Sequence, residues 1–335
     1  MDNFNKLVLH PDFHKTIREL SKNEIFLPRD GSEQNSANLS LLTDSGKVTN
    51  LEEIKGYKLD AQNGSIEAKK FSYSAYDESW KKFSALEGSA FFTAHSLVLS
   101  GEKEYVPVTL ATFNFYTRSK GIASKSHYIK YSDNPEVENT RDYIRDKVSF
   151  LLEYAPSRSL LFVDGPLISG DLYTIMVDAT DKFLQKEIVP IFFVKNSASN
   201  IVTENIVGLR NQYNSDMHWL DNLLKPGERS CFFKYEDQVN KKNTKTFCYI
   251  KAFASGPQRI ELHSNTYQMY VNSIPKIMDL ILYLLLLQGS NKNPQLRTIA
   301  IAEVYAREVL HFIDIYKYFK EAKISPTLNQ IRFGG

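Results

Sequence analysis

Residues 159–169, Ser-Leu-Leu-Phe-Val-Asp-Gly-Pro-Leu-Ile-Ser, constrain this chain more than any other stretch. Leu160 to Val163 is a short, continuous run of strand-forming residues, the pattern of a strand buried on both faces of a sheet. Asp164 follows at once. Gly165-Pro166 then ends the strand, because Gly favours turn geometry and Pro lacks the N–H that a central ladder needs. A carboxylate is thereby presented at the carboxyl end of a central strand, where open α/β sheets hold their ligands. A plain turn capped by Asp164 would leave the same letters.

The flanking segments extend this pattern. Residues 139–155 carry Ile144, Val148, Leu151 and Leu152 at helical spacing and are stopped by Pro156. Asp142, Asp146, Ser149 and Glu153 share another face of that helix; one of these carboxylates could turn toward Asp164, or all could form a solvated face with Arg145 and Lys147. A helix is expected from Gly170 to Lys186, then a second buried strand from Ile188 to Val194, giving a parallel crossover with Lys195 emerging beside Asp164. Upstream, Phe83 to Leu86 runs into Glu87-Gly88-Ser89, an apolar segment that again ends in a carboxylate and Gly; Asp30-Gly31-Ser32 offers the alternative. Val106 to Tyr116 has strand composition, and the basic residues Arg118, Lys120, Lys125, His127 and Lys130 follow among Tyr128 and Tyr131. That mixture suits either a nucleic-acid grip or a solvated hairpin. Residues 230–262 alternate as antiparallel strands, with Arg259 near the same sheet edge. The run from Ile274 to Leu287 is more apolar than one face of a surface helix needs, so cover by another chain or a second helix is expected. Asn293-Pro294 opens a last helix in which Glu303 falls in the stripe of Ile299, Ala306 and Leu310, partnered by a metal or by Arg307.

Composition narrows the classes. A chain of 335 residues, 42% hydrophobic and 24% charged, buries a sizeable core, and a net charge of +2 leaves any nucleic-acid contact to local patches. Cys231 and Cys248 have no CxxC partner, which argues against a zinc or disulfide framework and for a reducing cytoplasm. No basic-then-apolar leader and no run long enough for a bilayer is present, so neither export nor a membrane span is expected. Phosphate-cradling, serine-hydrolase and zinc-hydrolase motifs are likewise missing from the sequence.

Glu87, Asp146, Asp164 and Glu303 thus stand as candidate metal ligands. Carboxylates converging without Cys or His select a hard cation, Mn²⁺ or Mg²⁺, that serves phosphodiester hydrolysis. The order strand-Asp/Glu-Gly-Ser, acidic helix, Leu-Phe-Val-Asp-Gly-Pro-Leu, strand-Lys-Asn-Ser, Arg-Ile-Glu and Pro-Gln-Leu…Ala-Glu-x-Tyr-Ala resembles the NurA nucleases over about Trp80 to Phe319, with Val163-Asp164-Gly165-Pro166-Leu167 the most specific part.

The resemblance implies an α/β fold: an RNase H-like mixed sheet with flanking helices, a peripheral N-terminal extension (residues 1–75) and a nuclease domain (76–325) with a β-rich part (201–275) and C-terminal helices (276–325). It implies a manganese-dependent deoxyribonuclease, a homodimer acting with a HerA-type hexameric ATPase on DNA ends, in repair or phage defence. Asp164 matches a metal-binding aspartate, Asp146 the helix carboxylate and Lys195 the lysine after the next strand; Glu87, Asp146, Asp164, Lys195 and Glu303 are the expected catalytic set, and Lys120, Lys125, Lys130 and Arg259 the expected DNA contacts. Two departures stand out. Glu87 replaces the Asp of the family's Asp-Gly-Ser, and Glu303 replaces a His after Ala302, so an inactive NurA-like subunit that binds DNA or the ATPase is the alternative.

Overall fold

The computed structural model of the protein describes residues 12–22, 40–42, 46–100, 105–168, 174–195, 197–206 and 208–324. In chain order, helix α1 (Phe13–Lys22) precedes strands β1 (Ser40–Leu42), β2 (Gly46–Asn50) and β3 (Tyr57–Lys58) and helix α2 (Ala61–Glu67), which Asp60 caps by accepting the Gln62 and Asn63 N–H groups. Three long strands follow, β4 (Ser72–Ser84), β5 (Ser89–Ser100) and β6 (Tyr105–Thr117), then α3 (Lys120–Ala123) and β7 (Ile129–Tyr131). Helix α4 (Pro135–Tyr154) starts at the Asn134 cap with Pro135 in its first turn and leads into β8 (Ser159–Asp164). Helices α5 (Thr174–Asp178) and α6 (Thr180–Gln185) cross over to β9 (Ile188–Val194). The chain continues through α7 (Asp216–Leu223), β10 (Glu228–Arg229), β11 (Phe233–Asp237), β12 (Thr244–Lys251), β13 (Gln258–His263), α8 (Ser264–Met269), α9 (Ile274–Gln288), α10 (Arg297–Phe312) and α11 (Ile315–Ala322). The last long helix begins at Arg297, a turn beyond the expected Asn293-Pro294 start.

The described strands form one mixed sheet in the order β1-β2-β11-β12-β13-β9-β8-β4-β5-β6-β7. Strand β4 is its pivot: β5 pairs with it antiparallel, and β8 parallel on its other side, with β9 parallel to β8. The β-rich part continues this same sheet through β13, β12 and β11. The described portion of residues 1–75 supplies its far edge, β2 pairing with β11 and β3 with β10, and packs α2 on α9.

Side-chain alternation sorts the strands onto two cores. On one face Ala75, Leu160, Phe162, Val189, Ile191 and Phe193 pack with α9 and the start of α10; on the other Tyr76, Leu161, Val163 and Phe192 pack with Ile144, Val148 and Leu151 of α4. Each fully buried Leu or Phe contributes about 1.5–3 kcal/mol. Helix α9 is nearly engulfed, one side on the sheet and the other against α2, where a Cβ on Gly64 would lie 2.1 Å from the Asp279 carbonyl oxygen. A second helix of the same chain therefore covers much of this apolar run, with Leu286 and Leu287 left exposed. Among the described residues no helix is long and apolar enough to cross a membrane.

Candidate active site

Asp164 ends β8, and the backbone reverses immediately after it. Gly165 takes φ +91°, a conformation L side chains rarely adopt, and donates its N–H to the Phe193 carbonyl at 2.8 Å. By alternation, Asp164 falls on the side of Leu160 and Phe162, facing α10. Lys195, just past β9, donates to Asp164 Oδ2 at 3.0 Å, and its ammonium lies 3.8 Å from Glu303 Oε2 of α10. Glu303 also pairs with Arg307 one helical turn on, at 3.1 Å.

The carboxylate beside Asp164 is Asp77. Parallel pairing sets Tyr76 opposite Val163, so the next residue of each strand, Asp77 and Asp164, comes up on the same face at the same level. Asp77 is 6% exposed, and burial, then repulsion from Asp164 and Glu78, pushes its carboxyl up to about 8. Burial also raises Asp164, which Lys195 pulls back toward the charged form. Glu78 points to the opposite face, where Tyr143 donates to it at 2.7 Å and Lys147 lies 3.4 Å away.

The other expected site residues lie elsewhere. Glu87 sits in the β4–β5 hairpin turn, which closes through the Ala85 N–H to the Gly88 carbonyl at 2.8 Å. From Asp77 to Ser84 alone β4 rises roughly 23 Å, which separates Glu87 from Asp164. Asp146 lies on α4, which covers the opposite sheet face; its charged neighbours are Asp142 and Lys130, and the α4 charge acting on Asp164 is Lys147. Asp142 is held by Tyr116 and Lys130, each at 2.7 Å. Arg259 is 5% exposed, its guanidinium 2.8 Å from Glu261 and its Nη1 donating to Ser197 at 2.7 Å, so it is no surface phosphate contact. Lys120 and Lys125 are exposed, Lys120 lying over the Tyr131 ring, while Lys130 is tied to Asn114 and Asp142. Asp30 lies outside the described residues. Asp77 was not read from the sequence, although Asp77-Glu78-Ser79 differs from Asp-Gly-Ser by one letter.

The donor set fits a hard divalent cation. Two carboxylates whose ionised forms repel each other in a desolvated cleft are relieved by a charge of +2, and Mg²⁺-type sites need only one or two carboxylates, the rest coming from water and substrate phosphate. Among the described residues no group of three or more Asp, Glu, His or Cys converges closely enough to ligate an ion unaided.

The NurA domain profile matches residues 100–307. The fold is similar to that of the NurA nuclease from Sulfolobus solfataricus, at TM-score 0.51 and 11% identity over 92% of this chain and 94% of that one. A NurA structure with manganese aligns at TM-score 0.40 and 10% identity over 89% of this chain and 96% of that one. Endonuclease V from Ciona intestinalis in complex with inosine-containing DNA aligns at 0.36 and 10% over 89% and 98%. No curated protein sequence matches. The sheet is of the RNase H-like kind, and since the domain match spans more than half its length, the chain belongs to the NurA family of nucleases.

Proposed function

We propose that the protein is a metal-dependent DNA nuclease that hydrolyses phosphodiester bonds in the cytoplasm, as a homodimer working with a HerA-type hexameric ATPase in DNA end processing, repair or phage defence. The observation that carries this reading is the pairing of Asp77 with Asp164 on adjacent parallel strands, desolvated and facing the same helix. These two carboxylates would hold Mn²⁺ or Mg²⁺, with Glu303 linked to them through Lys195. Bound there, such an ion supplies an activated water and stabilises the leaving oxygen. Lys195 has two tasks: its hydrogen bond fixes the Asp164 rotamer, and its charge attracts a DNA phosphate to the strand ends. Arg307 holds Glu303 from the solvent side. Asp77 retains its proton near neutral pH and gives it up when a cation takes the proton's place. Lys120, Lys125 and Lys130 would guide DNA along the β6–β7 end of the sheet.

Release of labelled nucleotides from linear DNA tests the reading directly. Cutting with Mn²⁺ that stops with chelator is expected; chelator-insensitive release rules the mechanism out. Light scattering should return twice the 38.5 kDa chain mass or a complex with the ATPase. An inactive subunit is the second reading, favoured by the lack of a three-ligand group among the described residues. It would be established by absence of cutting in Mn²⁺ with the ATPase present.

A further inference from the structure

We propose that Glu261 is a positioning residue that holds the site together from the far side of the sheet, by tying down the two loops that follow Asp164 and Lys195. Glu261 is fully buried on β13 between Ile260 and Leu262, whose side chains join the core beneath α9 and α10, so its own side chain points to the opposite face. There its Oε2 accepts the Leu167 N–H at 2.8 Å. Its Oε1 lies 2.7 Å from Lys245 Nζ and 2.8 Å from Arg259 Nε. Arg259 in turn donates to Ser197 Oγ at 2.7 Å. Leu167 stands three residues after Asp164, and Ser197 two after Lys195. One buried node therefore clamps both loops without touching either functional side chain.

The turn itself shows why the node matters. Pro166 has no N–H, Gly165 donates to β9, and Leu167 donates to Glu261, so every backbone donor of residues 165–167 is committed to a neighbouring strand. Asp164 is thus presented by a turn with little freedom to reorient. A buried ion triad is not needed for stability as such, since well-packed apolar residues often serve as well or better. Apolar residues would not, however, supply a directed acceptor at Leu167. The node is balanced by Asp216, also fully buried, whose charge acts on both Lys245 and Arg259. Lys245 and Glu261 can therefore be neutralised together while Arg259 keeps a counter-charge.

The consequence for metal binding rests on the nuclease reading; the clamp itself does not. Two charge-balanced double variants isolate it: Lys245→Met/Glu261→Gln keeps an acceptor for Leu167, and Lys245→Met/Glu261→Leu removes it. In the Leu variant, metal-free hydrogen exchange at the Gly165, Leu167 and Ile168 amides should quicken at least about tenfold, and half-saturating Mn²⁺ for DNA cutting should rise about 10–100-fold, as when groups that orient a metal ligand are lost. The Gln variant should stay within about threefold of wild type on both readouts. Equal behaviour of the two variants, or unchanged exchange in the Leu variant, overturns the proposal. If the Leu variant does not fold, Ser197→Ala carries the test: it should stay folded with only a modest drop in melting temperature, because Arg259 loses one buried acceptor, and its Mn²⁺ requirement should rise; an unchanged requirement overturns the proposal. A wild-type protein that does not cut DNA strikes the nuclease reading alone, because the exchange comparison needs neither DNA nor metal.

Discussion

Replacing Asp77 by Asn should stabilise the metal-free protein while abolishing cutting. The Asp77 carboxyl is raised from 3.8 to about 8 in the folded state, by burial first and by Asp164 and Glu78 second. Its sign follows from linkage: a carboxyl with a raised folded value keeps its proton where the unfolded chain has released it. Stability is therefore unaffected below about pH 4 and falls as pH rises toward 8, by about 1.4 kcal/mol per pH unit. Over the roughly three units up to pH 7 the loss is on the order of 4 kcal/mol. Asn has no proton to lose and escapes it, but burying its amide costs about 1–2 kcal/mol, leaving a net gain of about 2–3 kcal/mol at pH 7 and none near pH 4. Urea unfolding followed by fluorescence from pH 4.5 to 8, about the range of the titration, measures this directly. The gap between Asp77→Asn and wild type should widen steadily with pH. Saturating Mn²⁺ should then stabilise wild type and leave the variant unmoved, since a ligand stabilises only the form that binds it. A gap that stays constant across this range would refute the electrostatic account of the pair.

Asp164→Asn should lose nearly all cutting with its fold intact, whereas Glu87→Gln should cut like wild type, because its hairpin lies far along β4; parallel gel assays on linear DNA check both. Arg259→Ala should leave the salt slope of DNA binding unchanged and destabilise the fold by about 3 kcal/mol, the cost of breaking a buried ion pair, as denaturant titration would show. Charge reversal at Lys120, Lys125 and Lys130 together should weaken DNA binding more at low salt than at high salt; an unchanged slope would route the DNA elsewhere.

The strand ends carrying Asp164 and Lys195 were legible because their signals are local. Continuous apolar runs, Leu160 to Val163 and Ile188 to Val194, announce strands buried on both faces, and Gly165 marks a turn that needs positive φ. Asp77 was hidden because its strand does not end there. Pairing with β5 carries β4 on to Ser84, through the mostly polar stretch from Asp77 to Lys82, so no break follows this carboxylate. Gly88 misled for a related reason. A Cβ there would lie 2.2 Å from the Tyr116 carbonyl oxygen, so the glycine after Glu87 serves the close approach of β6 to a hairpin, not the end of a core strand. Arg259 read as an edge cation, yet it shares a strand face with Glu261 two residues on; its burial depends on Lys245 and Ser197, which no local pattern brings near. Asp146 was placed on the correct helix, but which sheet face that helix covers is a property of the crossover, not of its own periodicity.

The energetics bear on whether the site is a working one or a relic. Glu303 is shared by Lys195 and Arg307, and Asp164 bonds directly to Lys195, but Asp77 is offered the N–H of its own neighbour, Glu78, at 2.7 Å and faces two like charges that Lys195 only partly offsets. A buried carboxylate so placed lowers stability at every pH above about 4 unless something positive meets it. A scaffold that merely docked on DNA or an ATPase would be more stable with an uncharged residue at position 77. A cation bound level with the two carboxylates, at the open ends of β8 and β9, would remove that cost. The same geometry explains the place of Lys195: its ammonium bonds to Asp164 and only partly offsets Asp77, which carries a proton near neutral pH, so a divalent ion displacing that proton would meet two carboxylates and one ammonium and leave positive charge for a phosphate to share.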